Sequence, residues 1–148
     1  MYLKWKIYHH QKTIFNQVAV AFERALDVVG NVDSWIDVQL NPVNDHHLTY
    51  QLPPGCKLLQ AAVRQNGAQY GDSSVINRLS KGQKDLLRAH EALYYIVQVN
   101  GGNSSDQVRS FLRVLLNENA TRDETDRAVE YFEAFIVELY KTMKEKEK

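Results

Sequence analysis

Residues 80–99 read SKGQKDLLRAHEALYYIVQV, and this stretch decides that the chain is mainly helical. Ser80 stands three residues before Gln83, the spacing of a capping box, in which the cap hydroxyl and the N3 side chain satisfy backbone groups that a helix start leaves without partners. Behind it Leu93, Tyr94, Tyr95, Ile96, Val97 and Val99 make the segment apolar around most of its circumference, and Gly101 and Gly102 follow where a helix would stop. The spacing predicts a helix over 81–99 that is buried on several sides or lies at a subunit interface.

Toward the C-terminus the same punctuation recurs. Ser104 precedes Gln107 by three residues, and Thr121 precedes Glu124 likewise, which predicts helices over 105–117 and 122–144. The second carries Val129, Tyr131, Phe132, Phe135, Ile136, Val137, Leu139, Tyr140 and Met143, a stripe wider than one neighbouring helix requires. Its end, KTMKEKEK, sets lysines where the helix macrodipole favours them.

Toward the N-terminus the period changes. Pro53 and Pro54 pre-organise a helix start for CKLLQAAVRQ (56–65), with Leu58, Leu59, Ala62 and Val63 on one face, and NGAQYGDSS (66–74) reads as a loop by composition. WIDVQL (35–40) and HLTYQL (47–52) alternate apolar and polar residues across a turn-rich NPVNDH, a β-hairpin pattern. LKWKIYH (3–9) alternates too, so a first strand is expected over residues 2–8. Ile14, Phe15, Val18, Phe22, Ala25, Leu26 and Val29 then fall at helical spacing, with Gly30 as the stop. The expected fold is α+β and predominantly helical. A small antiparallel sheet, made of the N-terminal strand and the hairpin, packs with one helix and is followed by a four-helix cluster. Should residues 2–8 be helical, the fold becomes essentially all-α with one hairpin.

The chain has 148 residues, 44% of them hydrophobic and 24% charged, which suits one domain with a full core. We read 1–148 as a single domain, residues 1–54 supplying the strand–helix–hairpin portion and 55–148 the helical one. The single cysteine, Cys56, excludes an internal disulfide and a cysteine-rich zinc site. MYLKWKIYHH lacks the apolar core of a signal peptide, and no run approaches the ~20 apolar residues that span a bilayer. A cytoplasmic chain that does not enter the membrane is expected.

Motifs of chemistry are incomplete. Asp45-His46-His47 has the residue types of a metal-dependent hydrolase, but it sits in a turn where adjacent histidines point to opposite faces, so a shared ion would need His9 and His10 to converge on His46 and His47. His90-Glu91 opens the HExxH zinc pattern, yet Tyr94 stands where the second histidine belongs, which leaves His90 a partly buried histidine and Glu91 a solvated acid. Cys56 near a helix start would need a base to act as a thiol nucleophile. Glycine-rich phosphate loops are missing, and no cofactor is implied.

Charge is balanced at 18 basic and 18 acidic residues, which argues against a general polyanion binder. Its distribution is uneven: Lys57, Arg64, Arg78, Lys81, Lys84 and Arg88 meet only Asp72 and Asp85 before Glu91, so a nucleic-acid-binding segment over 57–88 is the alternative function. The leading expectation is a non-enzymatic regulator or adaptor that works through protein–protein contact as a homodimer. The expected interface residues are Tyr94, Tyr95, Tyr131, Phe132, Phe135 and Tyr140, because aromatic residues are enriched where proteins meet.

Overall fold

A computed structural model describes residues 16–41 and 60–148. In chain order the elements are α1 (Asn16–Val29), a 3-10 turn (Val32–Ser34), β1 (Ile36–Asp37), β2 (Ala62–Gln65), β3 (Ala68–Gly71), α2 (Ser73–Ile76), α3 (Lys81–Val99), α4 (Asp106–Leu116) and α5 (Arg122–Lys146). The fold is α+β and helix predominates. Contacts gather the chain into two compact units, one of α1 with Ala89–Lys148 and one of Gly30–Arg88, with α3 continuous from the second into the first.

The helical unit follows from periodicity. Phe22, Ala25, Leu26 and Val29 are the buried face of α1, and Ala89, Ala92, Leu93, Ile96 and Val97 that of α3. On α4, Val108, Phe111, Leu112 and Leu115 are buried at the i, i+3, i+4, i+7 positions of one stripe. On α5 burial is concentrated in the first half, at Thr125, Val129 and Phe132, and the Thr125 hydroxyl donates back to the Thr121 carbonyl at 3.1 Å. The rings of Phe111 and Phe132 lie stacked, 4.7 Å between centroids and 8° between planes, and join α4 to α5.

The expected α3 stop is a Schellman motif. Gly102 N–H donates to the Val97 carbonyl (2.9 Å) and Gly101 N–H to that of Gln98 (3.0 Å), with Gly101 at φ +93°. The two glycines have different reasons to be there. Gly101 supplies the left-handed conformation. A Cβ on Gly102 would come within 2.4 Å of Val97 Cγ1 and 3.0 Å of Leu139 Cδ1 from α5, so it is needed for close approach.

In the Gly30–Arg88 unit the structure departs from the expectation. Ala62–Gln65, read as the end of a helix over 56–65, is a strand, and the loop expected over 66–74 holds a turn, β3 and the start of α2. The cause is Asn66-Gly67: both have positive φ (50° and 79°), as a two-residue type I′ turn requires, so β2 and β3 close as a hairpin with Ala62 opposite Gly71 and Gln65 opposite Ala68. β1 pairs with β3 in parallel, Ile36 opposite Tyr70, giving a mixed sheet in the order β1-β3-β2 instead of an antiparallel one. The expected strands at 2–8 and 47–52 lie outside the described residues. The helix expected to pack with the sheet, α1, belongs to the unit of the C-terminal helices.

This unit has its own core of Val32, Trp35 and Ile76, with Ala62 and Leu87 against it. Gly71 lets the sheet lie close on that core, since a Cβ there would stand 2.5 Å from Ile76 Cδ1 and 3.2 Å from Trp35 Cε3. The next residue, Asp72, is 6% exposed and fastens three segments. Its Oδ1 accepts from Ser74 N–H (3.0 Å) and the Ser74 hydroxyl (2.6 Å), while Oδ2 accepts from Leu40 N–H (3.0 Å). These bonds to the ionised form, the Ser74 hydroxyl foremost and the Leu40 amide next, hold its carboxyl below the usual carboxylate range.

Candidate interaction surface on the last two helices

Thr121 sets the start of α5: its Oγ1 accepts from Glu124 N–H at 3.1 Å, and Asp123 and Glu124 occupy the first turn, where negative charge favours the helix. From there Glu124, Arg127, Ala128 and Tyr131 follow one another along the flank that looks past α4. Opposite them α4 presents Gln107, Ser110, Phe111 and Val114. Ser110 and Ala128 are too small to fill the space between the helices, and a groove of about 430 Å³ results. Its floor includes the Phe111–Phe132 stack and its rim is polar, with Gln107, Glu124 and Arg127 around it. Tyr131 stands on that rim, 63% exposed. An apolar centre inside a polar rim, with an aromatic residue at the edge, is an arrangement that protein interfaces share.

The six residues expected at an interface are distributed over several environments. Phe132 is 1% exposed and belongs to the core, and Phe135 and Tyr95 are partly buried. Tyr94 is partly buried too, its hydroxyl donating to the Asn103 carbonyl at 3.0 Å. Burial, seconded by the Glu91 carboxylate, raises the Tyr94 phenol above its ordinary pKa. Tyr131 and Tyr140 are both exposed, yet nine residues separate them, about 180° around a helix, so they flank the buried stripe on opposite sides. Lys144 Nζ lies 5.6 Å from the Tyr140 ring centroid. Two members of the set therefore line the groove, Phe132 in its buried floor and Tyr131 on its exposed rim.

Glu91, read as solvated, is buried at 7% exposure, with His90 Nδ1 at 3.2 Å from its Oε1. Its position three residues before Tyr94 and beside Ala92 and Leu93 on the most buried part of α3 is the physical reason. Of the basic segment, Arg64 bonds the Gly67 carbonyl of its own hairpin turn (3.2 Å), and Lys84 is paired with Asp33 (3.0 Å). Arg88 is partly buried, while Arg78 and Lys81 are exposed. Lys81, Lys84 and Arg88 share one face of α3 by their spacing, whereas Lys57 lies outside the described residues.

His9, His10, Asp45, His46, His47 and Cys56 also lie outside the described residues. Among the described residues no group of three or more His, Cys, Asp or Glu side chains is placed to hold a metal ion. A second hollow, of about 330 Å³, lies beside Asp72, Ser74, Val75 and Arg78, but both Asp72 oxygens are engaged by Ser74 and Leu40. Among the described residues no helix is long and apolar enough to cross a membrane.

Tyr131 is among the interface residues expected from the sequence, whereas the groove beside it, with Glu124 and Arg127 on its rim, was not legible there. The signal that would have found it is the phase of α5: Glu124, Arg127 and Tyr131 repeat at three and four residues, off the apolar stripe. No protein-family model, curated protein or solved structure matches the chain.

Proposed function

We propose that this chain is a non-enzymatic regulator or adaptor that acts by docking another protein, as a homodimer, on the α4–α5 groove and the outer face of α5. The observation that carries this reading is the pairing of an apolar groove of about 430 Å³ with an exposed tyrosine on its rim. Tyrosine offers a large, rigid contact area at low entropic cost and keeps a polar hydroxyl for the wet edge of an interface. The cytoplasm is the setting this reading assigns, a reducing compartment suited to a chain with one cysteine.

The test is site-specific photo-crosslinking in the host cell. A photoreactive phenylalanine at position 131 is expected to give discrete protein adducts. The same probe at exposed Arg113 of α4, which does not line the groove, is expected to give none. Absence of protein adducts from position 131 under conditions where the chain is folded would sink the proposal.

A further inference from the structure

We propose that the occupant of this face is a second copy of the chain, docked helix to helix and antiparallel about a two-fold axis beside residues 132 and 133 of α5. The inference rests on the docking reading above and names the partner and its register.

Glu124, Arg127, Tyr131, Ala134, Glu138 and Lys141 are all exposed, and their spacings run three, four, three, four, three. That spacing keeps the six side chains on one line along the outward face of α5, about 26 Å long from Glu124 to Lys141. The order of charges along it is negative, positive, tyrosine, alanine, negative, positive. When the stripe is laid antiparallel on itself, Glu124 meets Lys141, Arg127 meets Glu138, and Tyr131 meets Ala134, each pair occurring twice. The large ring falls on the small side chain, and every charge falls on its opposite. A parallel pairing sets each charge against its own copy. Sliding the antiparallel pairing by one heptad brings Arg127 against Tyr131 and leaves Glu138 and Lys141 without those partners.

Among the described residues, none of these four charged side chains forms an ion pair within the chain. They are available to a partner. Exposed pairs of this kind contribute little affinity, and their effect is to select register and reject wrong pairings. The apolar contribution comes from Tyr131 on Ala134, with the groove beside it. A seam one helix wide is smaller than the ~800 Å² per partner of a standard interface, so the association is reversible.

Charge reversal at the Arg127–Glu138 pair gives a decisive experiment, read by sedimentation velocity over a wide concentration range at low ionic strength. The wild-type chain is expected to pass from monomer to dimer. Arg127→Glu alone and Glu138→Arg alone each create two like-charge contacts, and each is expected to weaken self-association at least about tenfold. An equimolar mixture of the two variants restores both opposite pairs in a heterodimer, as does the double variant R127E/E138R in a homodimer. Restoration in the mixture supports the proposal and cannot come from misfolding, since neither protein has changed. Wild-type-like dimers from both single variants, or variants that keep wild-type circular dichroism but do not recover on mixing, would overturn the register while leaving the docking reading standing. A wild-type chain that is monomeric at every concentration overturns the second copy as occupant, and the crosslinks at position 131 then decide the docking reading separately.

Discussion

Tyr131 and Phe132 are adjacent in sequence and opposite in expected consequence. Phe132 is 1% exposed and stacked on Phe111, so Phe132→Ala removes a fully buried ring and leaves a cavity between α4 and α5. Truncations of this kind cost about 3–5 kcal/mol, of which the lost aromatic pair accounts for roughly 0.5–1.5. Against a total stability of about 5–15 kcal/mol, that is a large fraction. Tyr131 is 63% exposed, and alanine is the better helix former, so Tyr131→Ala is expected within about 0.5 kcal/mol of wild type. Urea unfolding followed by far-UV circular dichroism separates the two. With a slope toward the upper end of ~1–3 kcal/mol/M, the Phe132→Ala midpoint falls by about 1 to 2 M and the Tyr131→Ala midpoint by less than about 0.3 M. The measurement belongs at chain concentrations where the monomer dominates, because association stabilises the folded form by mass action. Equal losses from the two variants would mean that the inward and outward faces of α5 have been assigned wrongly, and the groove with them.

Two further outcomes test the joints of the fold. Gly102→Ala is expected to cost about 1–3 kcal/mol in thermal or urea melts, because its Cβ would meet Val97 Cγ1 at 2.4 Å and the Val97 carbonyl at 3.1 Å, whereas Gly82→Ala, in the open first turn of α3 with nothing within 4 Å, is expected to stabilise by about 0.4–1 kcal/mol. Asp72 binds its proton less tightly in the folded chain than the ordinary value of 3.8, so its contribution is complete above that pH and is lost as pH falls toward the depressed value; urea midpoints taken across acid pH should show this slope in wild type and a shallower one in Asp72→Asn, and identical slopes would exclude the carboxylate as the fastening of Leu40 to Ser74.

How much of this was readable depended on how local the determinant was. The starts of α3 and α5 were legible because capping is written in residues three apart, whereas the Ser104–Gln107 box expected at α4 does not form. Ser80 and Gln83 exchange both bonds, Ser80 N–H to Gln83 Oε1 at 2.9 Å and Gln83 N–H to Ser80 Oγ at 3.2 Å. Thr121 caps α5 in one direction, and at α4 the cap position falls to Ser105, with the Ser104 hydroxyl accepting from Asp106 N–H at 3.3 Å. The β2–β3 hairpin is equally local, but two signals compete there. Leu58, Leu59, Ala62 and Val63 suit a helix after two prolines, and as sequence that short apolar pattern outweighs Asn66-Gly67. A two-residue turn with both φ positive leaves the chain little choice but to double back. The parallel pairing of β1 with β3 has no local signature at all. It depends on Ile36 meeting Tyr70, thirty-four residues on, and on Asp72 reaching Leu40.

The candidate surface on α5 shows the same distinction at the scale of one helix. Summing the aromatic and aliphatic residues of α5 finds a surplus, and it does not say where the surplus points. Phe132 contributes to that sum as much as Tyr131 does, although one closes the core and the other stands on the rim of the groove. The informative quantity is the residue that breaks the apolar phase. Thr125, Val129 and Phe132 define the inward direction, and with it fixed, Glu124, Arg127, Tyr131, Ala134, Glu138 and Lys141 fall on one outward seam. Only in that frame does the alternation of charge along the seam acquire a meaning, because an order of negative, positive, negative, positive read around two central apolar positions is its own complement when reversed. The same side chains scattered in angle would be a solvated helix face. Aligned as they are, they form the self-complementary order on which the proposed antiparallel register rests.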